Sequence, residues 1–134
     1  MRLLLNLTFL ISLSSFAVDG DRAFSSQACN GRLTLTSGTP VTTSDVSNAT
    51  AIYFTPFHGN KISLYNGSVW QLLSFSEISL ALGTISSGTN YDVFAYNNSG
   101  TVALDSIVAW TNDTTRATAL ALQDGIYVKS GALT

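Results

Sequence analysis

The chain has 134 residues, enough for one domain with its own core and too few for two comfortable ones. Hydrophobic residues make up 46% and charged residues only 10%, against roughly 25% in an average soluble domain. The net charge is -2, and the basic residues (Arg2, Arg22, Arg32, Lys61, Arg116, Lys129) are nowhere adjacent, which argues against a nucleic-acid groove and against a basic membrane-surface helix.

Met1 to Ala17 reads as a signal peptide. Arg2 supplies the positive start, Leu3 to Phe16 the apolar stretch, and Ser15-Phe16-Ala17 a small-residue cleavage site before Val18. The stretch is shorter than the ~20 residues of a membrane-spanning helix, so no stable span is expected once it is removed. Residues 18–31 are polar and irregular, and read as a linker or N-terminal arm. Cys29 is the single cysteine, which rules out an intrachain disulfide. It is expected to be a small buried hydrophobe, with an interchain bridge as the alternative.

Residues 32–134 have the rhythm of an all-β domain. Arg32 to Ser37 alternates, placing Leu33 and Leu35 on one face, until Gly38-Thr39-Pro40 breaks it. Val41 to Thr50 is rich in Ser and Thr. Ala51 to Thr55 is a strand stopped by Pro56, and Phe57-His58-Gly59-Asn60 is a turn. Lys61 to Tyr65 and Ser68 to Leu72 flank Asn66-Gly67, which predicts a two-residue type I′ hairpin, because both residues tolerate positive φ. Ser76 to Leu82 fits either a strand or one helical turn. Tyr91 to Tyr96 is a strand, turned by Asn97-Asn98-Ser99-Gly100 into Thr101 to Leu104 and on to Ile107 to Trp110. After the polar turn Thr111 to Arg116, Ala117 to Leu122 reads as an inner strand. Gln123-Asp124-Gly125 is a second hairpin turn leading into Ile126 to Lys129. The expected fold is a single antiparallel sandwich or flattened barrel of seven to eight short strands. The chain stops soon after a strand, so the domain is expected to continue in a longer parent protein.

No catalytic constellation is legible. The one histidine, His58, sits in a turn without a Gly-x-Ser-x-Gly elbow elsewhere in the chain. One His and one Cys do not make a zinc site. The acidic residues lie mostly beside Asn, Gly, Ser or Thr, where turn formation accounts for them. A glycosidase needs two carboxylates across a cleft. Asp92 and Asp105 meeting on adjacent strands are an example of such a pair, though turn formation is the expected role of most acidic residues here. No Gly-rich phosphate loop or EF-hand loop is present, and no cofactor is expected. The chain is therefore not expected to be an enzyme. Asn48, Asn66, Asn97 and Asn112 head Asn-x-Ser/Thr sequons, which are frequent by chance in such a composition. Among the aromatics, Trp70, Trp110, Tyr65 and Tyr96 are the candidates for a ligand-stacking platform, although strand aromatics more often pack a core.

Five stretches carry a resemblance: Arg32 to Thr43, Lys61 to Trp70, Tyr91 to Tyr96, Ala109 to Thr118 and Asp124 to Gly131. Together, over about residues 29 to 134, they resemble an uncharacterised family of phage- and prophage-encoded virion-associated proteins of fibre, tail or decoration type. The resemblance implies a non-enzymatic virion structural or surface-display module, with other copies of itself or virion proteins as partners and host-surface glycans as a further class. The alternative is a secreted adhesin or carbohydrate-binding β-sandwich. Localisation is accordingly expected to be the virion or the secreted and cell-surface fraction.

Overall fold

Short polar and glycine-bearing turns divide the chain into many brief strands. In a computed structural model, which describes residues 28–131, no helix occurs among the described residues, and eleven strands follow one another. They are β1 (Gly31–Thr34), β2 (Ala51–Pro56), β3 (Lys61–Tyr65), β4 (Trp70–Ser74) and β5 (Ile78–Ala81). The second half holds β6 (Tyr91–Asp92), β7 (Ala95–Asn98), β8 (Thr101–Leu104), β9 (Val108–Ala109), β10 (Leu120–Gln123) and β11 (Ile126–Lys129). The fold is all-β and sandwich-like. A three-stranded antiparallel sheet, β1-β2-β5, accompanies the pairs β3–β4, β6–β9, β7–β8 and β10–β11, and no barrel closes among the described residues. The signal-like residues 1–17 and residues 18–27 lie outside the described part.

The count exceeds the expected seven or eight partly because one expected strand is split. Tyr91 to Tyr96 divides into β6 and β7, whose partners are β9 and β8. Between the Asp92–Val108 and Ala95–Leu104 pairs, two residues face three. This is a β-bulge, and it bends one long hairpin into two short ladders. Ser76 to Leu82, open between strand and helical turn, contributes β5, paired along β2 from Ala51–Ala81 to Phe54–Ile78.

Two hairpins close over type I′ turns. Asp124 and Gly125 have φ of 49° and 84° between the Gln123–Ile126 pair, and Ser99 and Gly100 have 51° and 93° between Asn98 and Thr101. The Asn66-Gly67 hairpin forms in a different register from the one expected. Tyr65 pairs with Trp70, so the central turn residues are Gly67-Ser68. Gly67 alone has positive φ, 94°, as a type II′ turn requires at its first central position. Asn66 instead accepts from the backbone N–H groups of Ser68 and Val69 at 3.0 and 2.9 Å. The register places the Tyr65 and Trp70 rings 5.4 Å apart, so cross-strand aromatic contact outweighs the local preference of Asn-Gly.

The chain enters the fold earlier than expected. Ala28 to Asn30, read as part of the arm, pair with β3: Asn30 N–H donates to Lys61 O at 2.7 Å and Ser63 N–H to Ala28 O at 2.8 Å. The strand then crosses to β2, with Gly31 opposite Pro56 and Leu33 opposite Phe54. Cys29 is exposed, contrary to the expectation of burial, because the segment lies at the rim where it passes from β3 to β2.

The core is small. Phe54, Ile62, Phe75 and Val102 are buried, with Leu64, Leu73, Ile78, Ala95 and Leu104 packed against them. The Phe54 and Phe75 rings stack with centroids 4.6 Å apart. Leu33 shares the face of its partner Phe54, yet it is 49% exposed and Leu35 39% exposed, because β1 is an edge strand and nothing among the described residues lies beyond it. Ala117 to Leu122 is not an inner strand: β10 starts only at Leu120, and Leu122 is 63% exposed. It belongs to a two-stranded hairpin with no third strand among the described residues to cover it.

On the opposite face of β2, Thr34 and Thr55 are buried beneath a loop that Glu77 clamps. The Glu77 carboxylate accepts from Ser37 Oγ at 2.5 Å, Gly38 N–H at 2.6 Å and Thr55 Oγ1 at 2.6 Å. These bonds, Ser37 foremost and then Thr55 and Gly38, hold its pKa below the ordinary 4.5. A depressed carboxylate stabilises the fold above its unfolded pKa and ceases to do so as pH falls through the folded value. The Ser37–Gly38 loop is therefore expected to open below pH 4.5. Hydrogen exchange at Gly38 N–H should accelerate there, and Glu77→Gln should exchange fast at every pH. A Gly38 amide equally protected in both proteins at neutral pH rules the clamp out.

Candidate functional site: an aromatic cleft

The β3–β4 hairpin, residues 93–97 and β11 surround a cleft of about 680 Å³. That volume falls in the range of small-ligand sites, roughly 300–1,000 Å³. Tyr65 and Trp70 reach it from the hairpin, Tyr96 from β7 and Tyr127 from β11. Tyr96 and Tyr127 are 45% and 70% exposed, so their rings face solvent.

Each wall is held by polar contacts between elements remote in sequence. Trp70 Nε1–H donates to Asp124 Oδ2 at 2.8 Å, which fixes the indole against the tight turn of the β10–β11 hairpin. Gln123 Nε2 and the Trp70 N–H, in that order, hold the Asp124 carboxyl below the usual aspartate range. Asn97 Nδ2 donates to Gln71 Oε1 at 2.7 Å, while Asn97 Oδ1 accepts from Gly100 N–H at 2.6 Å. Lys129 Nζ lies 2.8 Å from Asp105 Oδ2 and joins β11 to the bulge. That bond, with Ser106 N–H next, lowers the Asp105 pKa. Among the described residues, Asp105 and Lys129 are the only charged ones in the lining, and they neutralise each other.

One polar group in the lining is unspent. Ser63 is 7% exposed, and its hydroxyl has no hydrogen-bond partner among the described residues. A buried hydroxyl without a partner costs about 1–3 kcal/mol.

Of the four aromatic residues singled out from sequence, the fold brings Tyr65, Trp70 and Tyr96 into this cleft and leaves Trp110 elsewhere. The Arg116 guanidinium sits 4.5 Å from the Trp110 ring and 3.7 Å from Asp92, and the Trp110 N–H is buried without a partner among the described residues. Asp92 and Asp105 each face their own cation, Arg116 and Lys129. His58 is exposed in its turn at φ 55°. Among the described residues no three His, Cys, Asp or Glu side chains gather as a metal site would require.

Sequence reasoning missed Tyr127, the Gln71–Asn97 amide pair and Ser63. Tyr127 carried a readable signal, since it alternates with Ile126 and Val128 in β11 and so points away from them. The amide pair joins residues 26 apart and carried none. No protein-family model, curated protein or solved structure matches the chain.

Proposed function

We propose that the chain is a non-enzymatic structural or surface-display module of a bacteriophage-type particle, and that it assembles with other copies of itself. One observation supports this beyond the resemblance of its motifs: the apolar surface exceeds the core. Among the described residues, four hydrophobic side chains are buried, whereas nine large ones, among them Leu33, Leu72, Leu122 and Tyr127, are at least 39% exposed. Apolar surface of that extent on a domain with open strand edges suits a protein covered by neighbours.

Leu33 and Leu35 mark the edge of β1, where the core runs to the surface. A second copy on this edge extends the burial begun by Phe54. Leu33→Asp combined with Leu35→Asp is expected to shift the purified full chain from oligomer to monomer in sedimentation velocity, with its circular dichroism retained. A wild-type chain that sediments as a monomer at all concentrations removes the self-assembly part of the reading.

The particle itself is tested by peptide mass spectrometry of purified virus and, separately, of the culture's secreted fraction. The tryptic peptide Leu33–Lys61 reports the domain. Its stoichiometric presence in particles supports the structural role. Its presence only in the secreted fraction, with a chain starting at Val18, overturns that role in favour of a secreted adhesin or carbohydrate-binding module.

A further inference from the structure

We propose that the cleft between the β3–β4 hairpin, residues 93–97 and β11 binds a neutral saccharide, whether the chain is displayed on a particle or secreted. Three independent features of the lining point to that chemistry.

The first is the aromatic surface. Trp70 and Tyr65 form a tilted pair with centroids 5.4 Å apart, and the Asp124 carboxylate holds the indole in place. Tyr96 and Tyr127, 45% and 70% exposed, also border this space. A pyranose ring carries an apolar face of C–H groups, which is the shape and polarity that a flat aromatic face accepts.

The second is the kind of polar group present. Gln71 and Asn97 are side-chain amides already locked to one another, so little ordering remains for them to do when a ligand arrives. Their oxygens already accept from Asn97 Nδ2–H and Gly100 N–H, so what they offer a sugar hydroxyl is chiefly the remaining amide N–H donors. Ser63 adds a buried hydroxyl with no partner among the described residues. A ligand hydroxyl satisfies it, whereas a purely apolar ligand leaves its cost in place.

The third is charge. Among the described residues, the one cation and the one anion of the lining are paired at 2.8 Å, so none of these residues offers a free charge to a phosphate, a carboxylate or an ammonium group. Anionic glycans, nucleotides and charged peptides gain nothing there and lose hydration on entry.

The test uses the full chain carrying Trp110→Phe, which leaves Trp70 as the sole tryptophan and removes an indole outside the cleft. Maltohexaose, cellohexaose, xylohexaose and chitohexaose are titrated while tryptophan emission is recorded, with calorimetry in parallel on the unaltered chain. At least one is expected to give a saturable change in both. Tyr96→Ala and Tyr127→Ala, at exposed positions that the fold tolerates, should each weaken binding roughly tenfold or more while the circular dichroism stays unchanged. No saturable change with any of the four in either readout overturns the proposal. So does binding that survives both tyrosine variants, which moves the ligand out of the cleft. Tighter binding of oligogalacturonate than of every neutral sugar overturns the neutral class. None of these outcomes bears on particle incorporation, which the mass spectrometry reads separately.

Discussion

Phe54→Ala is expected to bring the domain close to unfolding. Phe54 belongs to a core with only four buried apolar residues among those described, and its ring stacks on Phe75. Truncating a buried Phe to Ala costs about 3–5 kcal/mol, against a total stability of roughly 5–15 kcal/mol for a typical domain. The upper end of that cost, about 5 kcal/mol, fits here, because a core this small has few neighbours able to collapse into the cavity. Urea unfolding at fixed protein concentration, followed by near-ultraviolet circular dichroism, checks this. A midpoint displaced by less than the equivalent of about 1 kcal/mol shows that the core does not depend on Phe54.

Gly31→Ala is the second large effect, and it acts in the opposite sense, by overfilling. Gly31 sits in β1 without a left-handed backbone, so a strand conformation alone does not require glycine there. Space does. A Cβ at this position runs into Phe54 Cζ and stands 2.6 Å from Phe54 Cε2 and 2.8 Å from Phe75 Cζ, closer than real Cβ contacts come. The obstructing atoms belong to two rings stacked on one another, which cannot swing aside separately. Overpacking of this kind costs about 1–3 kcal/mol. Phe54→Leu in the same chain removes the ring atoms that a new methyl meets, so the double variant should lose clearly less stability than the sum of the two single losses. Strict additivity argues that Gly31 is needed for some other reason.

The fold class was legible in the sequence because the signals that specify it are local. Asp124-Gly125 and Ser99-Gly100 have the residues that positive φ demands, and both turn as expected. Asn66-Gly67 carried the same signal, yet the hairpin slipped, because Tyr65 and Trp70 gain more by facing each other than Asn66 gains by turning. The bulge between β6 and β7 was not legible, since it arises from a mismatch between two strands and neither strand shows it alone. Burial was the least legible property. Alternation placed Leu33 and Leu35 on one face, but nothing in the sequence of β1 says that it ends up as an edge. Three members of the cleft were found as aromatics in strands, while Trp110 has the same local pattern and went to a different place. Which aromatics converge is decided by long-range packing.

The segment from Ala28 to Thr34 leaves β3 and joins β2, bonding to both. In kinetic terms this makes it the stitch that comes last. The hairpins β3–β4, β7–β8 and β10–β11 close over two-residue turns, events of about 1–10 μs that bring together only neighbouring stretches of chain. The stitch has no local partner: Gly31 meets Pro56, Ala28 meets Ser63, and both must wait for chain in between to be brought round. During synthesis its partners leave the ribosome after it does, so an early apolar stretch holding Leu33 and Leu35 stands unpaired until β2 and β3 arrive. Gly31→Ala should then slow the main refolding phase in stopped-flow as well as lower stability. An altered unfolding rate alone places the stitch after the rate-limiting step.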